Sequence, residues 1–242
     1  MSVRIELPAL SCYTEIIIDV LYFKRMILMS NYISEEDECT AEEFLKFVEI
    51  ETAREGYENN RYELIDGRIY MMSAPSGNHM CLAKYIYDIF MQYFTGKECD
   101  VYFAPFDVFL FEKSLFTVRK RKRPSARKNK CRDVTQPDLF VLCEREKIKE
   151  NGIHGAPSLV VEIVSKSSVD MDYIKKLYTY MQFGVQEYWI VDPLLKKITM
   201  YVAAQAAGNE SLLMSGNTFA ETVESKIFQS LRVDFSDYIW VD

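Results

Sequence analysis

Two runs of this chain are apolar on both faces of a strand, and each carries an acid. Gln136-Pro137-Asp138-Leu139-Phe140-Val141-Leu142 sets an aspartate at the mouth of one run, and Leu159-Val160-Val161-Glu162-Ile163-Val164-Ser165 sets a glutamate inside the other. Strands rich in Val, Leu and Ile on both faces are central strands, covered by other elements on each side. Burying a carboxylate there is costly unless something compensates its charge, and a divalent cation is the strongest compensator. A lone acid in a strand is ordinarily a hydrogen-bonded structural residue. Two acids on adjacent strands, followed by a lysine-bearing helix, point instead to a site for Mg²⁺, which takes oxygen ligands and keeps several waters.

The surrounding pattern is α/β. Thr40 with Glu43 forms a capping box, and Phe44, Leu45, Phe47 and Val48 give an apolar face, predicting a helix over residues 40–55. Residues 62–70 read as a hairpin turning at Asp66-Gly67, a pair that tolerates the positive φ of a two-residue turn. Ser76 opens a second helix with apolar positions Met80, Ala83, Ile86, Ile89, Phe90, Tyr93 and Phe94, stopped near Gly96. Strands are predicted over 101–111, 138–143 and 159–164, a helix over 170–183 ending at Gly184, and strands over 187–191 and 198–202. The central order is helix, three strands, helix, strand, preceded by the added N-terminal helix and hairpin. There is no internal repeat.

With 242 residues, 49% of them apolar and 14% aromatic, the chain has ample material for a core and is not a disordered polymer. The cysteines at 12, 39, 81, 99, 131 and 143 form no CxxC pair and match no zinc framework. They read as reduced thiols of a cytoplasmic protein. No apolar run reaches the roughly 18–20 residues of a membrane span; the nearest, residues 16–29, is broken by Asp19, Lys24 and Arg25. Residues 1–38 read as an N-terminal extension, either a packing arm or a stretch upstream of a true start at Met26 or Met29. Residues 39–242 read as a single domain.

Charge is distributed unevenly. Arg119, Lys120, Arg121, Lys122 and Arg123, then Arg127, Lys128, Lys130 and Arg132, place nine bases within fourteen residues and no acid among them. Without these nine, 20 of the 29 bases remain against 36 acids, a net charge of −16. So dense a block of one sign belongs in a loop, here at 117–132. Its position just before Asp138 favours contact with a phosphate backbone over a purely solvated loop.

Several of these segments together resemble the PD-(D/E)XK nuclease superfamily, and within it the Uma-two branch of bacterial restriction-endonuclease-like proteins. They are Tyr62-Glu63-Leu64-Ile65-Asp66-Gly67, the helix start at Ser76 to His79, Gln136-Pro137-Asp138, Gly155-Ala156-Pro157-Ser158 running into Glu162, Asp172 with Lys176 and Tyr180, and Glu187-Tyr188-Trp189-Ile190-Val191-Asp192-Pro193. In order and spacing they cover about residues 40–202. The resemblance implies a restriction-endonuclease-like core and Mg²⁺-dependent hydrolysis of DNA phosphodiester bonds, with Mn²⁺ as a substitute. It assigns Asp138, Glu162 and Lys176 to catalysis, and Asp138, Glu162 and Glu63 to the metal. Asp107, His79 and Asp172 stand behind them. The lysine such nucleases carry two residues after the (D/E) position is replaced here by Val164, and the role passes to Lys176 on the following helix. DNA is the implied partner, with a homodimer allowed and no membrane contact. Two other readings stand beside this one: a non-catalytic nucleic-acid-binding module of the same fold, and a metal-dependent hydrolase of another phosphate substrate.

The basic loop is expected to supply affinity and little chemistry. Replacing Arg119 to Arg123 with alanine should weaken DNA binding alike for unrelated sequences. It should also flatten the dependence of log affinity on log salt by about 0.9 for each phosphate no longer neutralised. Filter binding across a salt series checks this, and an unchanged slope contradicts it.

Overall fold

The computed structural model describes residues 39–111, 131, 133–206 and 209–240, with the side chains of 204–211 excluded. The extension at 1–38 and the loop residues Arg119, Lys120, Arg121, Lys122 and Arg123 lie outside the described residues. Three α-helices are present among them: α1 (Ala41–Thr52), α2 (Gly77–Phe94) and α3 (Leu177–Phe183). The strands are β1 (Tyr62–Ile65), β2 (Arg68–Met71), β3 (Asp100–Phe103), β4 (Val108–Leu110), β5 (Asp133–Thr135), β6 (Leu139–Leu142), β7 (Ile148–Lys149) and β8 (Gly152–His154). They continue with β9 (Leu159–Ile163), β10 (Glu187–Asp192), β11 (Lys197–Ala206), β12 (Asn209–Thr218), β13 (Thr222–Glu224) and β14 (Arg232–Asp234).

Local sequence accounts for the element ends. Thr40 Oγ1 accepts the Glu43 amide while Glu43 Oε2 accepts the Thr40 amide, so the capping box forms as expected. The β1–β2 turn sets Asp66 at φ 50° and Gly67 at φ 74°, the left-handed pair a two-residue hairpin needs. Ser76 caps α2 by accepting the His79 amide.

The strands form two six-stranded sheets, ordered β2-β1-β5-β4-β8-β7 and β12-β11-β10-β9-β6-β3, and a small β13–β14 hairpin. In the second sheet β6 runs antiparallel to both β3 and β9, and β10 runs parallel to β9. The β9-to-β10 crossover carries α3. That is the expected central order, and it is a restriction-endonuclease-like core. One face of this sheet (Leu139, Val141, Val161, Trp189, Val191) packs on the Leu82, Ile86, Phe90 and Phe94 face of α2 and on the β13–β14 hairpin. The other (Phe140, Val160, Tyr188, Ile190) packs on Tyr180 and Met181 of α3 and on Val108 and Leu110 of the first sheet. Both faces are dry, as the unbroken apolar runs require.

Among the described residues the chain passes between the two sheets five times, and two of these crossings matter here: after β3 through residues 104–107, and after β5 through residues 136–138. The expected strand over 101–111 is therefore two strands in two sheets. Pro105, which has no N–H for a ladder, lies at the break. The two crossings are pinned together where Gln136 Nε2 donates to Asp107 Oδ1 at 2.7 Å.

Three other expectations are corrected. The helix over 170–183 is not uniform, because Met171–Lys176 is a π-helical segment that leads into α3. Met80, assigned to the buried face of α2, is exposed. The cysteines are not all reduced thiols: Cys99 and Cys143, opposite each other at the ends of β3 and β6, are joined as a disulfide. The register brings the pair together, and two residues 44 apart in sequence give no hint of it. No helix among the described residues is long and apolar enough to cross a membrane.

Candidate active site

The sheet crossing at residues 136–138 builds the site. Leu139, the first residue of β6, pairs with Val161, which brings Asp138, just before the strand, alongside Glu162 and Ile163. Asp138 Oδ2 is fixed by the Ile163 amide at 2.8 Å and by His79 Nε2 at 3.0 Å. His79 lies in the first turn of α2, so that helix reaches the sheet's acids through this one hydrogen bond. Burial opposes a charge on His79, but the hydrogen bond and charge of Asp138 outweigh it and raise the imidazole pKa above its ordinary value.

Glu162 is fully enclosed, and its Oε1 takes two donors: Lys176 Nζ at 2.9 Å and the Tyr180 hydroxyl at 2.6 Å. Lys176 Nζ also lies 3.0 Å from Glu63 Oε1 and 3.8 Å from Asp172 Oδ1. Glu63 comes from β1 of the first sheet and is held by the Gln136 amide at 2.8 Å. Lys176 thus ties together a strand of each sheet and the π-helical segment. Asp172 and Tyr188 lock that segment in turn, because the Tyr188 hydroxyl donates to the Asp172 carbonyl.

Three carboxylates (Glu63, Glu162, Asp172) lie within 3.8 Å of one buried ammonium, and the crowding shows in the proton affinity of Glu162 and Asp172. Burial pushes the Glu162 carboxyl well above its usual range; Lys176 opposes this, and Asp138, Asp172 and Glu63 add to it. Burial likewise pushes Asp172 up to about 6. Burial works against the Lys176 charge, but Glu162, Glu63 and Asp172 outweigh it and hold the ammonium protonated.

The expected residues therefore divide cleanly. Asp138, Glu162, Lys176, Glu63 and Asp172 converge, and His79 joins them through Asp138. Asp107 does not reach the cluster; it acts on Gln136, whose Oε1 accepts Arg61 Nε at 2.8 Å. Sequence reasoning misses Gln136 as the hub between Asp107 and Glu63, and it reads Tyr180 as packing. The spacing 172, 176, 180 is two i,i+4 steps and is the available signal for Tyr180.

The donor set suits a hard divalent cation. Among the described residues no three of His, Cys, Asp and Glu converge as a ready ligand group, but Mg²⁺ is commonly held by one or two carboxylates with waters. The hydrogen bonds to Asp138 and Glu162 engage one oxygen of each, Oδ2 and Oε1.

Taken together, the fold and this cluster define a restriction-endonuclease-like protein of the nuclease class. A model of the Uma2 family, described as "putative restriction endonuclease", matches residues 41–236, and the chain belongs to that family. It is similar to an uncharacterized protein of Synechocystis sp., slr1290, at 23% identity over 145 residues, covering 60% of this chain and 67% of that one. Its fold matches a crystal structure from Anabaena variabilis, described as a "putative nuclease belonging to DUF820", with a TM-score of 0.56 and 19% identity. That match covers 82% of this chain and 96% of the other.

The raised Asp172 carboxyl gives a pH test. Its folded pKa lies above its unfolded value, so the native state holds the proton longer. The stability this confers is complete below about pH 4 and is lost as pH rises to about 6. Asp172→Asn removes that dependence. Across this window the urea midpoint of the variant should therefore rise relative to wild type. Parallel curves for the two proteins contradict this.

Proposed function

We propose that the chain is a metal-dependent endonuclease that hydrolyses DNA phosphodiester bonds, with Asp138 and Glu162 holding Mg²⁺. The observation that carries this is the crowding of buried acids where both sheets meet: Glu63, Glu162 and Asp172 share the single ammonium of Lys176, with Asp138 close to Glu162 and paired with His79. A structural ion pair needs one acid per base, and buried unpaired carboxylates are costly. Their persistence is explained by a second cation that arrives with function. The chemistry such an ion supplies when bound is a lowered pKa for its water and charge neutralisation at a phosphoryl oxygen.

The protein's own residues do the rest. The Ile163 amide and His79 orient the Asp138 carboxylate; Tyr180 and Lys176 orient that of Glu162. Glu63 keeps Lys176 charged and in place. Lys176, bonded to Glu162, sets a buried positive charge behind that carboxylate, where it offsets negative charge at the site without touching the substrate. The run of bases between residues 119 and 132 of the sequence carries the positive charge that an acidic chain needs to meet DNA, and this favours a polymer over a small phosphate ester.

The test is cleavage of supercoiled plasmid and of single-stranded DNA with Mg²⁺, Mn²⁺ or EDTA. Cleavage is expected with either metal and not with EDTA. Asp138→Asn and Glu162→Gln should each lower the rate more than about 100-fold, and Lys176→Ala should abolish it while DNA binding persists. Metal-independent cleavage contradicts the mechanism. DNA binding without cleavage under any of these conditions identifies a non-catalytic binding module instead.

A further inference from the structure

The Lys176 ammonium is sealed from solvent, with its side chain only 4% exposed. It has three N–H donors. Two acceptors lie at hydrogen-bond distance, Glu162 Oε1 at 2.9 Å and Glu63 Oε1 at 3.0 Å. The third acid, Asp172, stands at 3.8 Å, within ion-pair range but beyond a hydrogen bond. In this arrangement Lys176 cannot touch a phosphate arriving from solvent. It acts on Glu162, the same carboxylate assigned to the metal.

Resting on the metal-dependent reading above, we propose that Lys176 is the built-in counter-cation of Glu162 and competes with the divalent ion for it. Two cations on one buried carboxylate repel strongly at low dielectric. Uptake of the metal by Asp138 and Glu162 therefore loosens the Lys176–Glu162 bond. The ammonium has a second place to go, because a movement of Nζ of about 1 Å brings Asp172 into hydrogen-bond range while Glu63 retains it from the other side. This accounts for Asp172, a buried carboxylate that neither holds the metal nor makes a short bond to the lysine. It also makes the Lys176 position a brake on metal affinity: the acids are neutralised before the metal binds, and part of the metal's binding energy is spent moving the lysine.

The test is Mn²⁺ binding without DNA, by calorimetry and by thermal unfolding, at about pH 8, well above the range in which an ordinary carboxylate is protonated. Wild type is compared with Lys176→Met and with Lys176→Gln, which keeps a hydrogen-bond donor. The variants should be less stable than wild type without metal. They should bind Mn²⁺ about ten-fold more tightly, with a metal-induced rise in Tm larger than that of wild type by about 3–5 °C. Folding of a variant only when Mn²⁺ is present is the same result in its extreme form. Mn²⁺ binding that is equal or weaker in both variants overturns the competition while leaving the metal site standing. So does failure of both variants to fold with Mn²⁺ as without it. No Mn²⁺ binding by wild type or by either variant overturns the metal-dependent reading and this inference with it.

Discussion

The buried ion pair between Lys176 and Glu162 is the interaction on which the rest of the arrangement depends. Without the ammonium, Glu63, Glu162 and Asp172 would be buried acids with no base among them, and a single unpaired buried charge costs several kcal/mol. The lysine relieves this only in part, which is why Asp172 keeps a proton up to about pH 6 and Glu162 holds one more strongly than an ordinary carboxylate. A core designed for stability alone would have Leu or Met at these positions. The acids are intelligible as a site whose full complement of positive charge is supplied from outside.

The fold exists around that site in a literal sense. The chain crosses between sheets at residues 136–138, so Asp138 stands just before β6 of the second sheet, and Gln136, just after β5 of the first, holds Glu63 with its backbone amide. One three-residue crossing therefore positions two acids from different sheets. The π-helical turn does the same for the lysine. A (D/E)XK arrangement would place it on β9, two residues after Glu162. Here that position is Val164, and the π-helical segment returns the ammonium to the same carboxylate.

Much of this could be read in the sequence because burial leaves a strong mark on composition. Strands β6 and β9 stand out as unbroken apolar runs, the Thr40–Glu43 capping box and the Asp66-Gly67 turn are local chemistry, and the acids contrast with the Val and Leu around them. What could not be read depends on register or on three-dimensional meeting. Cys99 and Cys143 are joined because β3 and β6 pair antiparallel, a fact absent from either segment alone. The break between β3 and β4 is hidden because both halves are apolar and only Pro105 marks the change of sheet. Tyr180 looks like a packing residue since its ring does pack; its hydroxyl serves Glu162, and a hydroxyl's partner is set by tertiary structure. Short strands such as β7 and β8 carry too few residues for their period to show.

The central claim is that Asp138 and Glu162 are joint ligands of a divalent cation, and diffraction from crystals grown with Mn²⁺ tests it most directly. Anomalous scattering locates the ion without reference to any assumed site. The account predicts a single strong peak bonded to one oxygen of each of these two carboxylates, at the roughly 2.0–2.2 Å typical of such a small cation. A crystal saturated with Mn²⁺ that shows no peak there, with Lys176 unmoved against Glu162, would contradict it.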